Sequence, residues 1–369
     1  MEKVVIGMSG GVDSSVAAII LKNQGYEVIG LFMRNWDASI NNDILGNPTL
    51  SENICPQEQD YNDALAVCEK IDIPLYRVDF VKEYWDYVFS YFLDELKKGR
   101  TPNPDIMCNK YIKFDMFAKV AKEKFDTKYI ATGHYARIDD EKLKRGVDSN
   151  KDQTYFLSQL SKKQLSNVLF PIGNLEKKEV RKIAENYGLI TASKKDSTGI
   201  CFIGERNFKQ FLSNYLPNIP GNIILIEENI IIGKHVGLMY YTIGQRKGLN
   251  LGGNDDKLYV VGKNIDDNIL YVSKSENNDF LLSDSCIVDT LNWISETKPN
   301  KCSAKFRYRQ VDNEVEIEYL SENEILVKYP QKIKSVTPGQ ACVFYLDDEC
   351  LGGGIIKEVK KNNEKLWYL

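Results

Sequence analysis

Apolar positions in the first two hundred residues follow two alternating rhythms. Lys3–Met8 is a short, nearly continuous apolar run, and residues 27–33, 75–80 and 128–132 repeat it. Such runs predict buried strands. Between them, apolar residues recur at helical spacing. Val16, Ala17, Ile20 and Leu21 share one face of a helix over 13–24, and Phe114, Phe117, Ala118 and Ala121 share one over 111–125. Further helices are expected over 61–70, 83–97, 162–170 and 177–187, and a short charged hairpin over 138–147. Strands alternating with helices predict βαβ units in an α/β domain with a doubly wound, mostly parallel sheet.

The rhythm changes after about Pro220. Residues 223–226, 230–232, 258–261, 269–272, 314–319, 325–329 and 341–346 are short β-branched or aromatic runs separated by Gly, Asn or Asp. They predict small β-rich domains, sandwich or barrel-like. Boundaries near 205 and 280 divide the chain into an α/β domain (1–205), a small central β domain (206–280) and a C-terminal β-barrel domain (281–369). There is no internal repeat and no low-complexity tract.

Composition narrows the picture. The 369 residues are 43% hydrophobic and 27% charged, enough apolar material for real cores and too much for a disordered chain. With 48 basic and 52 acidic residues the net charge is −4, which excludes a polycation that coats nucleic acid but leaves room for a local basic patch. No apolar run approaches the ~18 residues that span a bilayer. The first eleven residues lack an export signal, so the expectation is a soluble, cytoplasmic protein without membrane contact. Eight cysteines without a CxxC pair, and only two histidines, argue against a disulfide scaffold or a zinc site. No metal site is expected.

The strongest local signal is Ser9-Gly10-Gly11-Val12-Asp13-Ser14-Ser15, between the first strand and the first helix. Adjacent glycines let the backbone turn tightly and approach a ligand. A helix start offers unpaired N–H groups and the positive end of a dipole, and the serines add hydroxyls, so the segment is an anion cradle. A plain glycine turn with a capping side chain is the competing account, but one cap does not need three serines and two glycines. The string is neither a Walker A loop nor GxGxxG. It resembles the phosphate loop of the N-type ATP pyrophosphatases, which split ATP between its α and β phosphates.

Two cysteines lie in unusual surroundings. Cys108 follows Asn103-Pro104-Asp105, in a segment read as a restricted loop just before a helix. There the helix dipole, Lys110 and Lys113 would favour a thiolate, and Asp105 adds a carboxylate for proton transfer. Cys201 sits in Ser197-Thr198-Gly199-Ile200-Cys201-Phe202. For either alone, a buried structural thiol is an equally good account.

Taken together, the phosphate loop, Asn-Pro-Asp-x-x-Cys-Asn-Lys and Ser-Thr-Gly-Ile-Cys-Phe-Ile-Gly-Glu-Arg resemble the MnmA family of tRNA-specific 2-thiouridylases. The strings at 131–137, 151–157, 240–249, 307–310 and 338–340 match in the same order. The stretch 253–259 departs from the family by being more acidic and polar. The resemblance implies ATP-dependent 2-thiolation of the wobble uridine (position 34) of tRNA: adenylation of the C2 oxygen, then sulfur transfer from a cysteine persulfide. It implies that Gly7, Met8, Ser9, Gly10, Gly11, Val12, Asp13, Ser14, Met33 and Gly133 hold ATP with its magnesium ion. It places Asn103, Pro104 and Asp105 against the target base. His134, Lys151, Asp152, Gln153, Arg307, Tyr308, Arg309 and Gln340 would touch the tRNA. Asp105 becomes the acid/base, Cys108 the nucleophile and Cys201 the persulfide carrier, with sulfur passing directly or as free hydrosulfide.

Implied partners are tRNAs with Lys, Glu and Gln anticodons, and a cysteine desulfurase or sulfur-relay protein as donor. No tightly bound metal is expected, although sequence alone leaves open an iron–sulfur cluster on Cys108, Cys201 and a third ligand. Two alternatives stand beside this reading: another phosphate-loop ligase or amidotransferase, and a non-catalytic tRNA-binding module. Arg307 and Arg309 are read as one face of a strand, and Lys194 as a solvated lysine.

Overall fold

The computed structural model describes residues 1–45, 47, 56–196, 199–200, 203, 207–249, 251 and 257–369. Its first seven strands are β1 (Lys3–Met8), β2 (Glu27–Arg34), β3 (Leu75–Asp79), β4 (Tyr129–Ala131), β5 (Ala136–Asp139), β6 (Lys142–Arg145) and β7 (Val168–Leu169). All but the β5–β6 hairpin form one parallel sheet in the order β3-β2-β1-β4-β7. β1 is central and alternates between two cores. Val4, Ile6 and Met8 pack with Val16 and Ala17 of α1 (Val12–Asn23), Val67 of α2 (Pro56–Lys70), and Val180 and Ala184 of the helix Lys177–Asn186. Val5 faces the other way, into a cluster with Met33, Phe89, Ile112 and Phe117. Helices on both faces explain why this strand carries no polar position after Lys3. The chain leaves β1 for β2 on one side and returns to β4 on the other, which opens a crevice at the carboxyl ends of β1 and β4.

Two long helices cover the second face, and each contains a π-helical stretch: Trp85–Phe89 within 81–97, and Cys108–Met116 within 104–125. The helix expected over 162–170 is shorter than predicted. Only Lys162–Leu165 is helical, and Val168–Leu169 pairs with Ile130 and Ala131 as the fifth strand. Pro171 disfavours helix at the residue before it, and the apolar run Val168-Leu169-Phe170 extends instead.

The remainder is β-rich. β8 (Gly221–Leu225), β9 (Ile230–His235), β10 (Leu258–Asn264) and β11 (Ile269–Lys274) form a four-stranded sheet. β12 (Leu282–Trp293), β13 (Lys301–Lys305), β14 (Asn313–Tyr319), β15 (Ile325–Lys334), β16 (Ala341–Leu346) and β17 (Glu349–Lys361) form a closed barrel, because β12 pairs with both β15 and β17. Three of these strands, β12, β13 and β17, escape the sequence pattern. β17 contains Gly352-Gly353-Gly354, and glycine ordinarily weakens a strand interior. In the barrel these glycines allow close approach: a Cβ on Gly353 would lie 2.5 Å from the Cys342 carbonyl oxygen, and one on Gly354 2.5 Å from that of Asp289. The β5–β6 hairpin joins the same barrel, with Lys144 opposite Glu349 on β17.

Candidate active site

The phosphate loop lies where the sheet order places a ligand. Gly11 caps α1 without a side-chain hydrogen bond, so the first turn presents its N–H groups outward. Ser14 and Ser15 fold back, their hydroxyls donating to the Gly11 carbonyl at 3.1 and 2.8 Å, and the Ser9 N–H donates to Ser14 Oγ at 3.2 Å. These bonds hold the loop in shape before any ligand arrives. Gly10 has φ +70° and runs against α2, where a Cβ would lie 2.2 Å from the Asp60 carbonyl oxygen. Gly133, after β4, closes on α1 from the other side: a Cβ there would lie 2.7 Å from the Ser14 nitrogen. Met33 lies over Gly7, its Cε 3.3 Å from where a Cβ on that glycine would stand.

Charged side chains brace the cradle from behind. Lys194 is not simply solvated; its ammonium donates to the Gly10 carbonyl at 2.9 Å and pairs with Asp60 and Asp63 on α2. Asp13 accepts from Tyr135 Oη at 2.8 Å and from Lys177 Nζ through both oxygens. Lys177 also pairs with Asp196, which Lys151 and Arg181 contact as well. Burial opposes the charge on Asp196, yet hydrogen bonds from Lys151 and Lys177 overcome it and bring the carboxyl down to about 2. Sequence reasoning missed Lys177, Tyr135 and Asp196. Their partners lie up to 164 positions away, with no local pattern to mark them.

The segment before Cys108 is helical rather than an extended loop. Asn103 is the N-cap, its Oδ1 accepting from the Asp105 N–H at 3.1 Å, and Pro104 occupies the first helical position. This helix start has a simple sequence logic: Asn caps, and Pro lacks the N–H that would go unpaired. Cys108 therefore lies past the first turn and is completely buried, at the start of the π-helical stretch. The dipole acts within the first turn, so it does not act on this thiol as the sequence suggested. Asn109 beside it donates from Nδ2 to the Phe156 carbonyl at 3.1 Å. Cys201 lies outside the described residues. Ile200 and Ile203, on either side of it in sequence, belong with Cys108 to one apolar cluster.

Residues implied for tRNA contact divide into two groups. Arg309 is exposed, with its guanidinium 5.3 Å from the centre of the Tyr308 ring. The remainder have internal partners. His134 is buried between Phe114 and Phe170, bonded to Thr132 Oγ1 at 2.8 Å, and burial followed by the charge of Lys113 pushes its pKa well down. Asp152 is buried and accepts from the Gly146 and Thr154 N–H groups, and Gln153 Oε1 accepts from the Tyr135 N–H at 2.9 Å. Gln340 Nε2 donates to the Thr101 carbonyl at 2.6 Å. Arg307 and Arg309 are not on a strand. β13 ends at Lys305, and the chain turns with Arg309 at φ +65°. Arg307 points inward, donating to the Ile243 carbonyl at 2.8 Å and to Thr337 Oγ1 at 2.7 Å.

Among the described residues no group of three or more His, Cys, Asp or Glu side chains could hold a metal ion. Nor, among them, is any helix long and apolar enough to cross a membrane.

Comparison with known proteins matches three family models along the chain. They are a tRNA methyl transferase HUP domain over residues 2–205, a tRNA methyl transferase PRC-barrel domain over 209–274, and an aminomethyltransferase beta-barrel domain over 283–356. The chain is 59% identical over 367 residues to the tRNA-specific 2-thiouridylase MnmA of Mycoplasmopsis synoviae, covering 99% of this chain and 98% of that one. It is 55% identical over 374 residues to the protein of the same name from Bacillus cytotoxicus, covering 100% and 98%. Among solved structures, a 4-thiouridine synthetase–RNA complex with bound ATP shows a distant likeness: TM-score 0.36 and 16% identity over 58% of this chain and 50% of that one.

Proposed function

The chain belongs to the tRNA-specific 2-thiouridylase family, and from that premise we propose that it replaces the C2 oxygen of the wobble uridine, position 34 of tRNA, with sulfur at the expense of ATP. The observation that carries the reading is the preformed cradle at the end of β1. It combines an uncapped helix start, a loop braced by Lys194 and the Asp13–Lys177 pair, and Gly133 closing from β4. That arrangement suits a polyphosphate, whose negative charge meets outward N–H groups.

The proposed roles follow. Residues 7–14, Met33 and Gly133 hold ATP. Magnesium would travel with the triphosphate. Asp13 has both oxygens bonded to Lys177, which leaves it shaping the loop. A single-stranded anticodon loop can splay its base into a pocket, here against Asn103, Pro104 and Asp105. The uridine C2 oxygen attacks the α phosphate, pyrophosphate leaves, and Asp105 manages the proton. The outer sulfur of a Cys201 persulfide then bonds to C2 and AMP departs. Attack of the Cys108 thiolate on the Cys201 sulfur releases the product and leaves a Cys108–Cys201 disulfide; an outside thiol supplies the two electrons that reset it. Release of hydrosulfide before attack on C2 ends in the same disulfide.

In this proposal residues 1–205 carry the chemistry, 206–280 form the central domain, and 281–369 form the tRNA-contacting barrel. The partners are tRNAs with Lys, Glu and Gln anticodons, and a cysteine desulfurase or relay protein.

The test is nucleoside mass spectrometry of unmodified tRNA after incubation with the protein, ATP and a sulfur source. Formation of 2-thiouridine that depends on ATP is expected. Sulfur label from a desulfurase should load on Cys201 without ATP or tRNA, vanish in Cys201→Ser and persist in Cys108→Ser. Label on Cys108 with Cys201 inert would reverse the two roles.

A further inference from the structure

Asn35, one residue past the end of β2, stands apart from the hydrogen bonds around it. It is completely buried, and among the described residues neither its Nδ2 nor its Oδ1 has a hydrogen-bond partner. Its neighbours differ. Arg34 is paired with Asp37 and Asp79, and Trp36 Nε1 donates to Asp43 Oδ2 at 3.1 Å. Asp37 accepts from Ser39 and Ile40, and its own N–H donates to Asn41 Oδ1. A buried amide with neither donor nor acceptor satisfied is costly, and natural structures keep such groups rarely and for a reason.

The position of Asn35 says what the reason is. In the sheet register Phe32 lies opposite Met8, so Asn35, three residues on, stands level with the phosphate loop beyond the carboxyl end of β1. Side chains alternate along a strand. Phe32 faces Tyr61 on α2, whereas Met33 belongs to the cluster that contains Met107 and Cys108. β2 ends at Arg34, and Trp36 rejoins Met33 in that same cluster, so Asn35 lies between two residues that pack with Met107 and Cys108. A neutral amide presents N–H beside C=O. It does not suit a phosphate, but it matches the paired donor and acceptor on the edge of a nucleobase.

We propose that Asn35 is a base-reading residue, whose side-chain amide hydrogen-bonds the donor–acceptor edge of a nucleobase bound at the carboxyl end of the sheet. The inference rests on the thiolation reading, which brings two such bases into the site, the adenine of ATP and the target uracil. The test uses the full-length protein with Asn35→Leu, which removes both polar atoms at similar size, and Asn35→Ala in case the larger side chain prevents folding. ATP affinity is measured by calorimetry, and adenylation and thiolation of tRNA in single turnover at saturating ATP.

If Asn35 reads adenine, ATP affinity falls about 10- to 100-fold, as loss of a paired base contact implies. If it reads uracil, ATP affinity holds and the single-turnover rate falls by that factor. In either case the thermal midpoint of Asn35→Leu stays at or above wild type, because the orphaned polar atoms are gone. ATP affinity and rate both within about twofold of wild type would overturn the proposal and leave Asn35 bonded to water alone. Wild-type protein without thiolation would instead overturn the function reading on which it rests.

Discussion

Gln340 reaches from the loop between β15 and β16 of the barrel to Thr101, where its Nε2 donates to the carbonyl at 2.6 Å, while the Thr101 N–H donates to the Pro338 carbonyl at 2.9 Å. Thr101 lies two residues before the Asn103 cap. The barrel thus grips the chain just upstream of the segment that carries Asp105 and Cys108. The central sheet grips it as well, since Lys263 Nζ donates to the Gly99 carbonyl at 2.9 Å. Gln340→Ala should therefore slow single-turnover thiolation more than it weakens tRNA binding. A fall in tRNA affinity with an unchanged rate would assign Gln340 to tRNA contact alone.

The two glycines of the loop should behave differently. Gly10→Ala forces a side chain into the left-handed region, at about 1–2 kcal/mol, and drives it into the Asp60 backbone. It should lower the denaturation midpoint together with ATP affinity. Gly11 has φ −99°, and a Cβ there would meet only Ser9 Oγ at 3.3 Å. Gly11→Ala should keep wild-type stability and lose ATP affinity. Paired thermal scans and ATP titrations separate the two, and a stable Gly10→Ala protein would refute the close packing.

Lys194→Met removes the ammonium that ties the Gly10 carbonyl to two α2 carboxylates. The loop loses its brace, and Asp60 and Asp63 are left facing each other without a cation. We expect weaker ATP binding and little change in tRNA binding, read from separate titrations. Unchanged ATP affinity would return Lys194 to the status of a surface lysine.

Arg307 and Arg309 should part company. Arg309→Ala should weaken tRNA binding and flatten its log–log salt dependence by about one unit. Arg307 donates to Ile243 and Thr337, and charged hydrogen bonds contribute about 1.5–3 kcal/mol. Arg307→Ala should therefore destabilise the protein before it alters the salt slope. Salt titrations and urea denaturation on both variants decide the matter.

Lys263 supplies a pH signature. Burial pushes its ammonium down to about 7, from an ordinary 10.5. Between those values the unfolded chain holds a proton that the folded protein lacks, so stability rises with pH across that window. Below about pH 7 both states are charged and the burial penalty is complete. Lys263→Met should be most stabilising near pH 7 and below, with its advantage shrinking toward about pH 10. Denaturation at several pH values tests this; an advantage that grew with pH would contradict the burial argument.

The residue pattern alone specifies what is local. The alternation of apolar runs specified β1 to its ends, because a strand covered by helices on both faces tolerates few polar positions. The glycines and serines of residues 9–15 specified the cradle, because φ values, caps and helix ends depend on residues a few positions apart. The helix start at Asn103-Pro104 was missed, because proline restricts its neighbour to extended backbone as readily as it opens a helix. The tertiary structure decided everything that depends on distant partners. It placed Gly352–Gly354 within the strand that closes the barrel, since only contact with β12 and β16 rewards that conformation. It set Lys194, Lys177 and Asp196 behind the phosphate loop, turned Arg307 inward and sank Cys108 past the first helical turn. Burial and charge pairing are properties of the neighbours in space, and in this chain those neighbours lie up to 239 positions away in sequence.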